Sequence, residues 1–236
     1  MHLIMETKPI YVHKTEVHNL KSPDVVVPLL LEIFKPRSVL DIGCGIGTWL
    51  HAFKMSGVNE VFGIDGDYVD RTLLRDFISI EEFRPTDLTY PFDLKRKFDL
   101  AICLEVAEHL PESSATDFIH SICLHADTII FSAAIPGQGG QNHINEHWMT
   151  YWKEKFSAEG YKLFDILRSE IWNNPGIDWW YKQNMVVFSK QPINTTLPEL
   201  PILNVVHPEL FQQHIDYIIY LQQYVRELES KLYDGL

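Results

Sequence analysis

Seven short apolar runs punctuate the chain, at residues 38–42, 60–64, 77–81, 98–104, 128–133, 161–167 and 185–189. Their length and bounding turn residues predict strands. Helical stretches fall between most of them, such as 48–55, 114–124 and 150–159. Near-continuous apolar strands separated by helices predict an α/β fold, a seven-stranded and mostly parallel sheet with helices on both faces. The last two runs are close enough for an antiparallel pair. Ahead of the first strand, Ser22-Pro23-Asp24 has the chemistry of a helix start, with Ser22 as N-cap. That helix runs through Leu29, Leu30 and Ile33 until Pro36 stops it.

The pattern divides the chain into four parts. Residues 1–21 are a polar lead-in or lid, with His13, His18 and Asn19 available to close over a site; residues 22–190 form the α/β domain. Residues 191–208 are proline-rich and read as an extended linker, and residues 209–236 read as a C-terminal helix. In that helix Phe211, Ile218, Val225 and Leu232 repeat every seven residues, as do His214, Leu221 and Leu228. This a/d pattern suits pairing with the same helix of a second subunit, giving a homodimer, or docking on the helix's own domain. No internal repeat is visible.

Composition narrows the function. The chain of 236 residues carries 32 acidic and 20 basic residues, a formal charge of −12. Gripping a phosphate backbone depends on Lys and Arg, so nucleic acid is an unfavourable partner. Cys44, Cys103 and Cys123 are odd in number and lack metal-type spacing, which reads as buried thiols in a reducing compartment. No run is long enough to span a bilayer and no signal-peptide pattern opens the chain, so the expectation is a cytoplasmic protein.

The chemistry concentrates at residues 39–48, Val-Leu-Asp-Ile-Gly-Cys-Gly-Ile-Gly-Thr. A strand runs into a loop with glycine at every second position and then into a helix. Gly43, Gly45 and Gly47 leave room for a ligand against the backbone, and the helix N-terminus offers free amides. The Asp-x-Gly-x-Gly-x-Gly spacing differs from the dinucleotide fingerprint, and no Lys-Ser/Thr follows as in a P-loop. It resembles motif I of the class I S-adenosylmethionine-dependent methyltransferases, and the resemblance covers roughly residues 22–190. The resemblance implies the Rossmann-like fold of that class and S-adenosylmethionine as cofactor. Asp41 would then face the methionyl amino group, with Gly43, Cys44, Gly45 and Gly47 passing the amino-acid portion. Asp65, followed by Gly66, would hold the ribose hydroxyls, and Asp87-Leu88 would meet the adenine. Leu104 and Glu105, at the fourth strand's end, would also line the cofactor site.

After that strand, Glu105, Glu108 and His109 stand at i, i+3 and i+4, one face of a helical turn. The Glu-x-x-Glu-His pattern resembles the polyprenyl dihydroxybenzoate O-methyltransferases and the small-RNA 2′-O-methyltransferases. In the RNA branch these residues and a later histidine ligate a divalent metal. The matching later histidine is His143, in the glycine-rich loop 136–148 after the fifth strand. The resemblance thus implies Glu105, Glu108, His109 and His143 as a metal set for Mg²⁺, Mn²⁺, Fe²⁺ or Zn²⁺. The same pattern also serves other methyltransferases as a helix cap or pocket wall. Without metal, His109 or His143 is the general base, oriented by Glu146 or His147. The aromatic stretch 172–181 suits either a stacking wall for the acceptor or a cover for the sheet edge.

The reading is an S-adenosylmethionine-dependent methyltransferase directed to a hydroxyl of a small molecule or glycan, with metal assistance if the set is filled. Its rivals are an N- or C-methyltransferase and a non-catalytic scaffold that retains the fold.

Overall fold

The computed structural model describes residues 11–13, 15, 17–197 and 204–233. Parts of the lead-in, of the linker and of the C-terminal end lie outside these residues. The chain divides into two compact units between Asn204 and Val205.

The first unit is built on seven strands: β1 (Ser38–Ile42), β2 (Glu60–Asp65), β3 (Phe83–Pro85), β4 (Leu100–Leu104), β5 (Thr128–Ser132), β6 (Lys162–Phe164) and β7 (Val186–Ser189). They form one sheet in the order β3-β2-β1-β4-β5-β7-β6. β1 pairs in parallel with β2 and β4, and β7 runs antiparallel to both β5 and β6. The predicted seven-stranded, mostly parallel sheet is therefore present. Strand order reverses between β1 and β4, so the crevice for a ligand opens at the carboxyl ends of these two strands.

Alternation along the strands builds two cores. Leu40, Ala101, Cys103, Ile129, Phe131, Val186 and Phe188 join the cluster on one face. Val39, Leu100, Ile102, Ile130 and Val187 join the other. Successive side chains of a strand point to opposite faces, so apolar residues at every position require cover on both. The helices supply it. α4 (Ala115–Cys123) and α5 (Met149–Ala158) pack Phe118, Trp152 and Phe156 on the first face. α1 (Lys21–Phe34) and α2 (Thr48–Met55) pack Val26, Leu30, Trp49 and Phe53 on the second. Burying one such side chain is worth ~1.5–3 kcal/mol, so losing either layer would exceed a typical net stability of ~5–15 kcal/mol. All three cysteines are buried and free.

Two local expectations are corrected. The run at 77–81 is not a strand; Ser79 and Glu82 form a capping box around a 3-10 turn at Ile80–Glu82, and β3 starts only after it. Ser22 does not cap α1, which begins at Lys21. Instead its hydroxyl donates to Asp178 Oδ2 at 2.7 Å and accepts from the Asp178 amide at 2.9 Å, bracing the chain 156 residues on. After β2, Asp70 caps α3 (Arg71–Leu74), its carboxylate accepting the amides of Thr72 and Leu73. Two further short helices precede β7, α6 (Arg168–Ile171) and α7 (Trp179–Asn184).

The second unit is a single helix, α8 (Pro208–Tyr233). Among the described residues, no helix is long and apolar enough to cross a membrane.

Candidate active site

The glycine loop joins β1 to α2. The amides of Gly43 and Cys44 both donate to the Ile64 carbonyl of β2, at 2.8 and 3.2 Å, which fixes the turn to the neighbouring strand. Gly43 sits at φ +80, and a Cβ there would lie 2.3 Å from Val106 Cγ2. The backbone therefore runs directly beneath the turn that follows β4. Gly45 sits at φ +53 under the His13 imidazole, 3.0 Å from where its Cβ would be, and Gly47 is the N-cap of α2.

Two acids flank this loop. Asp65 is buried; its Oδ2 accepts the Gly45 amide at 2.7 Å, and its Oδ1 accepts the Gly66 amide at 2.6 Å and the Tyr68 hydroxyl at 2.8 Å. Burial raises its pKa, and these hydrogen bonds partly offset the rise. Asp41 is also buried, and its Oδ2 has no hydrogen-bond partner. Burial first, and the Asp65 charge second, push its pKa well up. An orphaned carboxylate oxygen beside an anion is suited to a cationic or amine-bearing ligand. Asp87 stands apart from the pair; it is exposed and closes a turn with the Thr89 amide and hydroxyl at 3.0 and 2.6 Å, while Leu88 packs into the core.

The turn after β4 carries the second cluster. Glu105 has φ +55, and its carboxylate is taken up by side-chain amides. Gln138 Nε2 donates to Oε2 at 2.8 Å, and Asn184 Nδ2 reaches both oxygens at 3.1 and 3.3 Å. Leu104, the residue before it, is buried against the helix-covered face. Burial raises the Glu105 pKa, against these donors. Glu108 has no exposed surface, and neither carboxylate oxygen has a hydrogen-bond partner. Burial and then the Glu105 charge hold its pKa well above the carboxylate range, although the backbone groups of Glu108 and Ala134 lie near enough to offset the rise in part. Its main-chain carbonyl accepts the amides of Ile144 and Asn145 at 2.9 and 3.0 Å, which ties the loop after β5 to this turn.

That loop brings His143 to His109. Their rings lie 4.9 Å apart and nearly perpendicular. His109 Nδ1 is buried without a partner, and burial lowers the ring's pKa to about 4. His143 donates from Nδ1 to Glu146 Oε1 at 2.8 Å. Glu146 also accepts the amides of Gly137 and Gly139 at 2.7 and 2.8 Å. Burial alone would raise the Glu146 pKa, but the hydrogen bonds from His143 and the two glycine amides outweigh it and leave it lowered. Ligand atoms of Glu108, His109 and His143 all lie within 4.8 Å of one another. Glu105 is outside this group, and His147 stacks instead on Tyr151 at 3.8 Å.

Four residues of the site carried no expectation from sequence. Tyr11 packs edge-on to His109 at 4.9 Å and its hydroxyl lies 3.3 Å from His18 Nε2. Burial lowers the pKa of both His13 and His18 to about 4, so the rings here are neutral near pH 7. Tyr68 follows Asp65 at i+3, a spacing that could have pointed to its contact. Gln138 lies in the loop after β5 and Asn184 ends α7, with no shared pattern. The aromatic stretch contributes Tyr181, which meets Trp49 of α2 edge-on at 5.2 Å and packs against the helix-covered core.

The sequence model of the family described as "Methyltransferase domain" matches residues 15–166. No curated protein matches the chain significantly. Among solved structures, magnesium protoporphyrin IX methyltransferase from Synechocystis PCC 6803 with bound SAM is 19% identical, with a TM-score of 0.52 over 72% of this chain and 78% of that one. The methyltransferase domain of bacterial CtHen1 is 20% identical, with a TM-score of 0.51 over 72% and 98% of the two chains. The sugar N-methyltransferase KedS8 from Streptoalloteichus sp ATCC 53650 is 12% identical, with a TM-score of 0.57 over 81% and 100%. At these identities the likeness is one of fold. The family match spans the glycine loop, both acids and the turn after β4, and the strand order is that of the class: the chain belongs to the class I S-adenosylmethionine-dependent methyltransferases.

Proposed function

We propose that the chain methylates a hydroxyl of a small molecule or glycan, and that Glu108, His109 and His143 hold a divalent cation beside the acceptor. The observation that carries the reading is the unpartnered, fully buried carboxylate of Glu108 beside the unpartnered Nδ1 of His109. Buried polar groups are costly unless something satisfies them, and a charged one most of all. One carboxylate and two imidazoles are a donor set for Mn²⁺, Fe²⁺ or Zn²⁺. Such an ion, when bound, lowers the pKa of a hydroxyl and orients it.

The chain's own groups prepare the site. Glu146 fixes the ring of His143 through Nδ1, which leaves Nε2 as its remaining ligand atom. His109, with its pKa near 4, stays neutral and keeps a lone pair available. Asp41, Asp65 and the glycine loop are placed to hold the donor, and Asp87 would reach the adenine by turning from Thr89. S-Adenosylmethionine held there would supply the methyl group to the acceptor oxygen, its S–C bond breaking and S-adenosylhomocysteine leaving, while the hydroxyl proton would pass to water. Binding supplies proximity and alignment. The acidic total charge favours small or sugar-like acceptors over nucleic acid.

Labelled S-adenosylmethionine with a panel of hydroxylated small molecules and glycans, assayed with and without chelator, tests the reading. Activity lost to chelator and restored by one divalent metal supports it. Activity indifferent to chelator removes the cation and leaves His143, backed by Glu146, as the proton acceptor. Transfer to amines alone would make the chain an N-methyltransferase.

The chain is further proposed to pair with a second copy through α8. Ile218, Leu221, Val225 and Leu228 are 39–50% exposed, and the first three share a shallow surface patch with Gln222, Arg226 and Glu229. β-Branched residues at a (Ile218, Val225) with leucine at d (Leu221, Leu228) favour two parallel strands. Sedimentation of the full chain is expected to show a dimer that the double substitution Leu221→Lys, Leu228→Lys converts to monomer; a monomeric wild type overturns the pairing.

A further inference from the structure

We propose that Gln138 and Asn184 are positioning residues for the reaction centre: with Glu105 they form an amide clasp that sets the turn after β4 and the loop after β5 relative to each other. The inference rests on the cation reading of the same site and adds residues outside the ligand set.

The clasp joins the ends of three strands. Glu105 comes from the end of β4, Gln138 from the loop after β5, and Asn184 from the end of α7, just before β7. Beyond their bonds to Glu105, the two amides bond each other, Asn184 Nδ2 donating to Gln138 Oε1 at 2.8 Å. Gln183 closes the arrangement, donating to Gln138 Oε1 at 3.1 Å and to Asn184 Oδ1 at 3.0 Å. Asn184 and Gln183 are almost fully buried. Their own backbone is anchored in turn, because Arg168 is buried, ion-paired with Asp165 through Nε at 2.8 Å, and donates from Nη1 to the Gln183 carbonyl at 3.2 Å.

Two consequences follow for the centre. Glu105 holds a left-handed backbone that a non-glycine residue keeps only where its surroundings over-determine it. The clasp on its side chain, and its amide on the Ser132 carbonyl at 3.0 Å, supply that restraint. The turn so fixed places Glu108 and His109 three and four residues on. On the other side, Gln138 Oε1 also accepts the Ile135 amide at 3.3 Å, which pins the start of the loop. Glu146 then binds Gly137 and Gly139, the residues on either side of Gln138, and carries His143. A displacement of Gln138 is thereby passed to the His143 ring through one carboxylate. Among the described residues, the hydrogen bonds of the two amides run to Glu105, Gln183, Ile135 and each other and not to Asp41, Asp65 or the glycine loop, so the clasp is inferred to act on the acceptor side of the crevice.

The test uses the full chain with Gln138→Met and Asn184→Leu, which keep approximate size and remove the hydrogen bonds. Three quantities are read: S-adenosylhomocysteine affinity by calorimetry, Mn²⁺ affinity by electron paramagnetic resonance with that ligand bound, and the ring nitrogen resonances of His143. A core variant remote from the site, Ile119→Val, controls for general loosening. Both clasp variants are expected to weaken Mn²⁺ binding 10–100-fold, the range for outer-shell partners. They should shift the His143 resonances and leave S-adenosylhomocysteine affinity within about twofold, well below the tenfold that a 1.4 kcal/mol change represents. Unchanged His143 resonances in both variants overturn the proposal. So does a parallel loss of S-adenosylhomocysteine binding, which would make the clasp a general support of the fold. If the wild type binds no Mn²⁺, the cation reading fails, and the His143 resonances still decide the clasp by themselves.

Discussion

Replacing Glu108 by glutamine should stabilise the metal-free protein. The carboxyl group has no exposed surface and no hydrogen-bond partner, and burial followed by the Glu105 charge raises its pKa well above the ordinary 4.5. A folded-state pKa above the unfolded value means that the native chain binds the proton more tightly. Below the unfolded value both states are protonated and the group is neutral to stability. As pH rises past it, the unfolded chain ionises first, and stability falls with pH until the folded pKa is reached. Glutamine keeps the shape and cannot ionise. Glutamine leaves a neutral group unsatisfied in the same place, so only the cost of ionisation is removed, ~1.4 kcal/mol for each unit by which folding raises the pKa. Glu108→Gln in EDTA at pH 8 should gain on the order of 1–3 kcal/mol. For a chain of this size that is a rise of ~2–12 °C in Tm. The gain should vanish at pH 4. Saturating Mn²⁺ should shrink the gain, since a ligand at one hundred times its Kd adds about 2.7 kcal/mol to the wild type and less to a variant lacking the carboxylate. Differential scanning calorimetry across pH, with EDTA and with Mn²⁺, measures all of this. A variant less stable than wild type in EDTA at pH 8, or one whose Tm follows pH in parallel with it, refutes the reasoning.

Three further outcomes are expected. Gly43→Ala places a Cβ 2.3 Å from Val106 Cγ2 at φ +80. Backbone strain and overpacking together should cost ~2–5 kcal/mol in urea unfolding, and adding Val106→Ala should recover only the packing part. Asp65→Ala removes an acceptor of three hydrogen bonds beside the glycine loop. It should weaken S-adenosylmethionine binding ~10–100-fold by calorimetry, as expected for one or two charged hydrogen bonds. Arg168→Met strands the fully buried Asp165 carboxylate. A loss of ~3–5 kcal/mol is expected in denaturant unfolding, and a change below about 1 kcal/mol would refute the reading of the pair as a buried ion pair.

What the sequence makes legible follows the range of the forces involved. β1 and α2 have the bounds their pattern predicts, Ser38–Ile42 and Thr48–Met55, because a strand buried on both faces needs apolar residues throughout and the glycine loop between them permits few alternatives. The run at 77–81 misleads because Phe77 and Ile78 are apolar for another reason. Ile78 fills the space above Gly47, where a Cβ would meet it at 2.9 Å, and the Ser79–Glu82 box then turns the chain. Helices α3, α6 and α7 have four to six residues, too few for a helical period to show. Glu108 and His109 are visible as a spacing, yet nothing in a spacing tells which carboxylate is partnered. Glu105 and Glu108 look equivalent in sequence, and their difference is made by Gln138 and Asn184, 33 and 79 residues away. That asymmetry bears on function. It fits the proposed function, in which Glu105 is held by donors as part of the frame and Glu108 is left for a ligand. Local rules fail where a fold leaves a buried charge unsatisfied, and such a failure marks a reaction centre more sharply than the motif containing it.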